Sequence, residues 1–300
     1  MNNTTRTTKI YRSALFFTVS IIIAAQSFAQ GSTHEHTNGN AQGTTHDHTN
    51  RAAPANTTAA SDWTLDKMPA DLETDYALSA LPPHLRDNAT VYLLDPKMGY
   101  YVSRQGSNGY ICFVSRTDWE WNEFRKDLCT PISYDAEGAK SIFPVYMDVA
   151  SMRASGKFLA AQIKDSVISR INTGIYKAPS KPGISYMLAP VMRVYTGTPD
   201  NKEISTIPGP HYMLYAPYFT NENARYKPGT DGIILNSPDN EILGQGKGPH
   251  AYIIILATDA EKAIIEEDGK DLLKRLAAYK PYFKIESGMS HHHHGAAAKS

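Results

Sequence analysis

Gly209-Pro210-His211-Tyr212-Met213-Leu214-Tyr215 and Gly248-Pro249-His250-Ala251-Tyr252-Ile253-Ile254-Ile255 are two versions of one phrase: a Gly-Pro turn, a histidine, then an apolar run. Glycine frees the backbone while proline fixes φ and removes a donor, so the pair punctuates the chain. A short run of tyrosine and aliphatic residues behind such a turn reads as a buried strand. Ser185-Tyr186-Met187-Leu188-Ala189-Pro190 has the same character and predicts another strand of the same sheet, and Gly232-Ile233-Ile234-Leu235 predicts a short one. After the second phrase, Thr258-Asp259-Ala260-Glu261 has capping-box spacing and opens a helix. Its apolar face is Ala263, Ile264 and Ile265, then Leu272, Leu273 and Leu276 beyond Gly269. Glycine inside a helix costs about 1 kcal/mol relative to alanine, so Gly269 is expected to break or kink it.

Upstream, strand-like runs over 91–94, 100–104 and 110–116 are separated by Asp95-Pro96-Lys97-Met98-Gly99 and Gln105-Gly106-Ser107-Asn108-Gly109. Both separators are strong turn signals, and the three runs predict an antiparallel meander. Thr117-Asp118-Trp119-Glu120 then matches a capping box, with Trp121, Phe124 and Leu128 at helical spacing, which predicts a helix ending near Cys129. Trp119 and Trp121 are two positions apart and cannot both face a core from one helix. Residues 142–149 contain Pro144 and read as an edge strand. Residues 158–171 carry Leu159, Ile163 and Val167 on one stripe, with Gly174 available to end a helix. The expected class is α+β: a mixed or mostly antiparallel sheet flanked by about three helices, with disordered termini.

The ends differ in kind from the body. Arg6, Lys9 and Arg12 precede an apolar stretch over 14–25 and a small-x-small site at Ser27-Phe28-Ala29, which predicts a signal peptide over 1–29 and export to the periplasm or beyond. The apolar stretch falls short of the roughly 20 residues that a membrane span needs, so none is expected in the mature chain. Residues 30–61 are Thr, Asn, Gly, Ala and His with little to bury, a disordered tail. Within it, Thr33-His34-Glu35-His36-Thr37-Asn38 recurs as Thr45-His46-Asp47-His48-Thr49-Asn50. His34, His36, His46 and His48 thus form two pairs around carboxylates, a composition suited to a divalent transition metal such as zinc. A single domain over 62–285 and a second His-rich tail over 286–300 complete the expected organisation. Thirty basic residues balance thirty acidic ones, so no basic field is available for nucleic acid. Cys112 and Cys129 are the two cysteines. In an oxidising compartment their pairing would contribute roughly 3 kcal/mol, two buried free thiols being the other reading.

The segments Ala77-Leu78-Ser79-Ala80-Leu81-Pro82-Pro83-His84-Leu85-Arg86 and Pro210-His211-Tyr212-Met213-Leu214-Tyr215-Ala216-Pro217 resemble an uncharacterised family of secreted bacterial proteins with no assigned activity. The likeness covers most of the body and implies neither a cofactor nor a catalytic residue.

Outside the terminal stretches every histidine follows a proline directly: His84, His211 and His250. If the runs from His211, Ile233 and His250 are consecutive antiparallel strands, the two outer histidines stand at one end of the sheet, roughly 10 Å apart. They could then share an ion or one small ligand, with His84 as a third zinc-type donor. If the two runs pair directly, the histidines fall at opposite ends and this arrangement fails. Tyr212, Tyr215 and Tyr252 combine apolar area with a polar tip and are candidate ligand contacts. The chain has no nucleophile elbow, phosphate loop or dinucleotide fingerprint. The expected function is an exported binding protein for a small ligand or transition-metal ion. The alternatives are a metal-assisted hydrolase, with Asp148 as a possible base, and a structural envelope protein.

Overall fold

Thr90–Asp95 (β1) and Gly99–Arg104 (β2) form a hairpin because Gly99 accepts the left-handed φ of 92° that closes the turn after Asp95. The computed structural model describes residues 64–196, 202–219, 233–235 and 248–285, and these fall within one compact unit, Asn56–Ser300. The predicted signal peptide, both His-rich tails and the histidines His34, His36, His46 and His48 lie outside the described residues. The expected α+β class is the observed one, with seven helices among the described residues in place of about three.

The third strand, Ile111–Ser115 (β3), does not continue a meander. It lies on the other side of β1 and runs parallel to it, and Thr130–Tyr134 (β4) completes a sheet of order β2-β1-β3-β4. The connection after β2 therefore passes beneath the start of β1, where Ser107 and Asn108 donate their amides to the Asn88 carbonyl. A Cβ on Gly106 would stand 2.3 Å from main-chain atoms of Asn88 and Ala89, so glycine alone fits this crossing. β3 is buried along its whole length, which is why its run is apolar on both faces.

A second sheet has the order β5-β8-β10-β9: Ile184–Met187 (β5), His211–Tyr215 (β8), Tyr252–Leu256 (β10) and Ile233–Leu235 (β9), all antiparallel. Met192–Tyr195 (β6) and Ile204–Ile207 (β7) form a separate hairpin, joined to the chain before β4 by the Cys129–Arg193 bridge. The seam between the two larger sheets is made by side chains. Ser133 Oγ donates to the Tyr186 carbonyl at 3.0 Å, Ser185 Oγ donates to the Ser133 carbonyl at 2.5 Å, and Asp135 Oδ2 accepts the Ile184 amide at 2.9 Å. Small hydroxyl residues thus satisfy backbone groups that a regular ladder would have paired.

Ala70–Ser79 (α1) packs Leu72, Tyr76 and Ala77 on one face of the first sheet, together with Leu272 and Leu276 from Lys270–Tyr279 (α7) and Phe283 from a short 3-10 turn. Pro83–Arg86 (α2) is a single turn beside it. Asp259–Asp268 (α6) opens on the Thr258–Glu261 capping box and stops at Gly269, as expected. On the opposite face of the first sheet, Ala136–Ser141 (α3) leads into Phe143–Ala154 (α4), which packs on Ala160–Asn172 (α5) through Val145, Val149, Met152, Ile163 and Val167. Residues 142–149 are thus helical and not an edge strand. Pro144 sits in the first turn of α4, where its missing donor costs nothing, and the buried set Val145, Val149 and Met152 has helical spacing.

The helix expected after Thr117 is absent. The stretch between β3 and Cys129 is irregular, with Asn122 at φ 55° and the Trp119 amide donating to the Glu120 carboxylate, so the local hydrogen bonding competes with a capping box. The cysteines are not paired. Cys112 lies opposite Ser133 in the β3–β4 register, four residues from Cys129, and both are free, buried thiols. Among the described residues no helix is long and apolar enough to cross a membrane.

Candidate ligand cavity

The inner faces of β4, β6, β8 and β10 do not close on one another. They leave a cavity of about 610 Å³, roofed by the 115–121 loop, the start of α4 and the end of α5. Its floor follows from strand alternation: His211 and Met213 on β8 point to the same side as Tyr252 and Ile254 on β10, in the register that pairs Met213 with Ile254. Ile132 and Tyr134 on β4, Met187 on β5 and Met192 and Val194 on β6 extend this surface, and Val145 and Tyr146 descend from α4. The wall is mainly apolar.

Three tyrosines make its polar strip. The Tyr134 and Tyr252 hydroxyls lie 3.1 Å apart, and Tyr146 lies against Tyr134 with ring centroids 6.1 Å apart. Burial pushes all three phenols above their ordinary range, so they stay neutral and can donate to a guest. Trp119 and Trp121 both line the cavity, in a 116–121 stretch that is irregular rather than helical, and Trp121 stacks on Tyr195 at 4.4 Å and 6°.

Asp118 and Glu120 are the charged residues of the lining. Asp118 accepts from Ser115 Oγ at 2.9 Å and Glu120 from the Trp119 amide at 3.0 Å. Removal from bulk water raises the pKa of both, and Asp118 raises Glu120 further by repulsion. Arg153 attracts Asp118, and Lys164 attracts Glu120, without reversing the shift. Arg153 donates to the Arg116 carbonyl and its guanidinium covers the Phe124 ring at 4.9 Å.

The predicted site residues divide. Strands β8 and β10 pair directly, with His211 opposite Leu256, so the Ile233 strand does not lie between them. His211 and His250 are therefore at opposite ends of the pair, since His211 faces Leu256 and His250 lies in the turn before Tyr252, with a strand span of about 13 Å between those two positions. They line the same cavity but do not meet on one ion. Each ring is tied to the main chain instead: His211 Nδ1 to the Gly209 carbonyl at 2.7 Å and His250 Nε2 to the Lys177 carbonyl at 3.0 Å. Burial lowers the pKa of both, which keeps them neutral. His84 is exposed on α2 and does not line the cavity. Among the described residues no group of three or more His, Cys, Asp and Glu is placed to hold a metal. Asp148 is held by Arg170 and the Tyr176 hydroxyl, at 2.7 Å from the latter, away from the cavity.

Of the tyrosines, Tyr252 lines the cavity. Tyr215 donates to Asp135 and to the Ile184 carbonyl, both at 3.0 Å, and Tyr212 faces the other side and donates to Glu261 at 2.7 Å. Asp118, Glu120, Tyr134 and Tyr146 were not legible as site residues. The alternation Asp118-Trp119-Glu120-Trp121 was the available signal, since acidic and aromatic residues at period two do not suit one helix face. Compared with protein-family models, curated proteins and solved structures, the chain matches none.

Proposed function

We propose that this is an exported binding protein that takes one small organic molecule into the cavity between β4, β6, β8 and β10. The cavity carries the reading: its volume of about 610 Å³ lies within the range usual for small-molecule sites, and its apolar wall is interrupted by a few polar groups. Export rests on the signal-like sequence over 1–29. Metal capture by His34, His36, His46 and His48 would be a separate property of the tail, and the cavity reading does not depend on it.

The test is fluorescence titration with N-phenyl-1-naphthylamine, a neutral aromatic probe. The reading predicts one saturable site per chain, lost in a Met213→Trp variant that fills the cavity while its circular dichroism stays native. Absence of saturable binding, or binding unaffected by the filled cavity, would contradict it.

A further inference from the structure

We infer that the guest is a neutral carbonyl compound: an apolar body whose carbonyl oxygen accepts a hydrogen bond from the phenol cluster of Tyr134, Tyr146 and Tyr252. This inference deepens the cavity reading and rests on it. The three side chains come from β4, α4 and β10 and converge on the cavity wall. Tyr134 is the middle member, with the Tyr252 hydroxyl at 3.1 Å on one side and the Tyr146 hydroxyl in hydrogen-bonding contact on the other. Each phenol has one proton to donate, and a chain of three hydroxyls joined by two bonds uses two of them. Among the described residues no carbonyl or carboxylate accepts from any of the three, so one O–H is left for a guest. Tyr134 and Tyr252 are 0% and 7% exposed, so a hydrocarbon seated over that O–H would shut it away from every acceptor, a cost that a carbonyl oxygen removes.

The rest of the lining favours a neutral guest. Asp118 and Glu120 already accept from Ser115 Oγ and the Trp119 amide, and Arg153 attracts Asp118 as Lys164 attracts Glu120, so the pair calls for no guest cation. Burial, with Asp118 adding to it, pushes the Glu120 carboxyl up to about 7, so near neutral pH much of it is the uncharged acid. The lining holds no lysine or arginine, and its two histidines stay neutral with a ring N–H spent on the Gly209 and Lys177 carbonyls, so a guest carboxylate finds no cation there. Ile132, Val145, Met192 and Ile254 supply the aliphatic wall for the body of the guest. A carbonyl has lone pairs and no proton, which matches a cluster with one donor in excess, whereas an alcohol would bring a further proton in need of an acceptor.

Displacement of N-phenyl-1-naphthylamine by acetophenone and by ethylbenzene tests this, since the two have nearly the same shape and only acetophenone carries an acceptor. A Tyr134→Phe, Tyr146→Phe, Tyr252→Phe triple variant removes the three hydroxyls together, strands none of them and keeps the apolar shape. The acetophenone-to-ethylbenzene affinity ratio should fall about tenfold from parent to variant, with ethylbenzene still displacing the probe, which also shows that the variant is folded. An unchanged ratio would overturn the carbonyl assignment and leave the cavity reading standing. A second measurement needs only the parent protein: the infrared carbonyl stretch of bound, isotope-labelled acetophenone should lie below its value in hexane, and a hexane-like stretch would overturn the assignment whether or not the variant folds. Failure of both compounds to displace a bound probe would do the same, whereas absence of saturable probe binding would overturn the cavity reading as well.

Discussion

Glu73 illustrates how single residues set the behaviour of the core. It is 1% exposed beneath β1, accepts the Leu94 amide at 2.8 Å, and burial pushes its carboxyl up to about 7 from an ordinary 4.5. The Leu94 amide, Arg116 and Lys67 oppose the shift without cancelling it. Because the folded pKa is raised, the stability linked to this proton is complete below pH 4.5 and is lost as the pH rises through 7. Glu73→Gln keeps the acceptor and cannot ionise. It should leave stability near pH 4 unchanged and raise it near pH 8 by up to about 3 kcal/mol, measured by urea unfolding at both values. Parallel pH profiles for parent and variant would contradict the assignment. The histidines act in the opposite sense: with pKa values lowered by burial, their contribution is present above 6.5 and lost as the pH falls. None of this was readable from sequence, where Glu73 is one acidic residue among thirty.

At the scale of elements, the sequence was informative where apolar runs sat between strong turn signals and misleading where one residue type serves two structures. Strands β1, β2, β3, β5, β8, β9 and β10 fall on the predicted runs, and α5, α6 and α7 on the predicted stripes. Pro144 suits either an edge strand or a first helical turn, and Met152, which completes the helical set, lies beyond the apolar run over 142–149. Pairing partners were less accessible than the strands, because a turn signal such as Gln105-Gly106-Ser107-Asn108-Gly109 states that the chain reverses and not which side of β1 it returns to. Gly106 records that crossing. Gly106→Ala should destabilise the fold by about 2 kcal/mol or more, since the contact is with rigid backbone. Gly156→Ala, at φ 66° with nothing within 4 Å, should cost only about 1 kcal/mol. Equal effects in thermal unfolding would count against the observed crossing.

For the molecule as a whole, the proposed function depends on what the sheets fail to cover. The two Gly-Pro-His phrases do lead to the site: the strands they open form the cavity floor, and both histidines line it. Their convergence on one ion does not survive direct pairing of β8 with β10, and the carboxylates and tyrosines that give the cavity its polarity come from the 115–121 loop, β4 and α4. Such a site joins residues over a hundred positions apart, and periodicity within a segment carries no information about it. Three methionines, Met187, Met192 and Met213, line the cavity, whereas Met68 and Met152 are buried in other clusters. Methyl NMR of [13C-methyl]methionine-labelled protein with N-phenyl-1-naphthylamine therefore tests occupancy of the cavity most directly. The account predicts that saturation moves the Met187, Met192 and Met213 signals and leaves those of Met68 and Met152 in place; unmoved cavity signals, or shifts confined to methionines elsewhere, would contradict it.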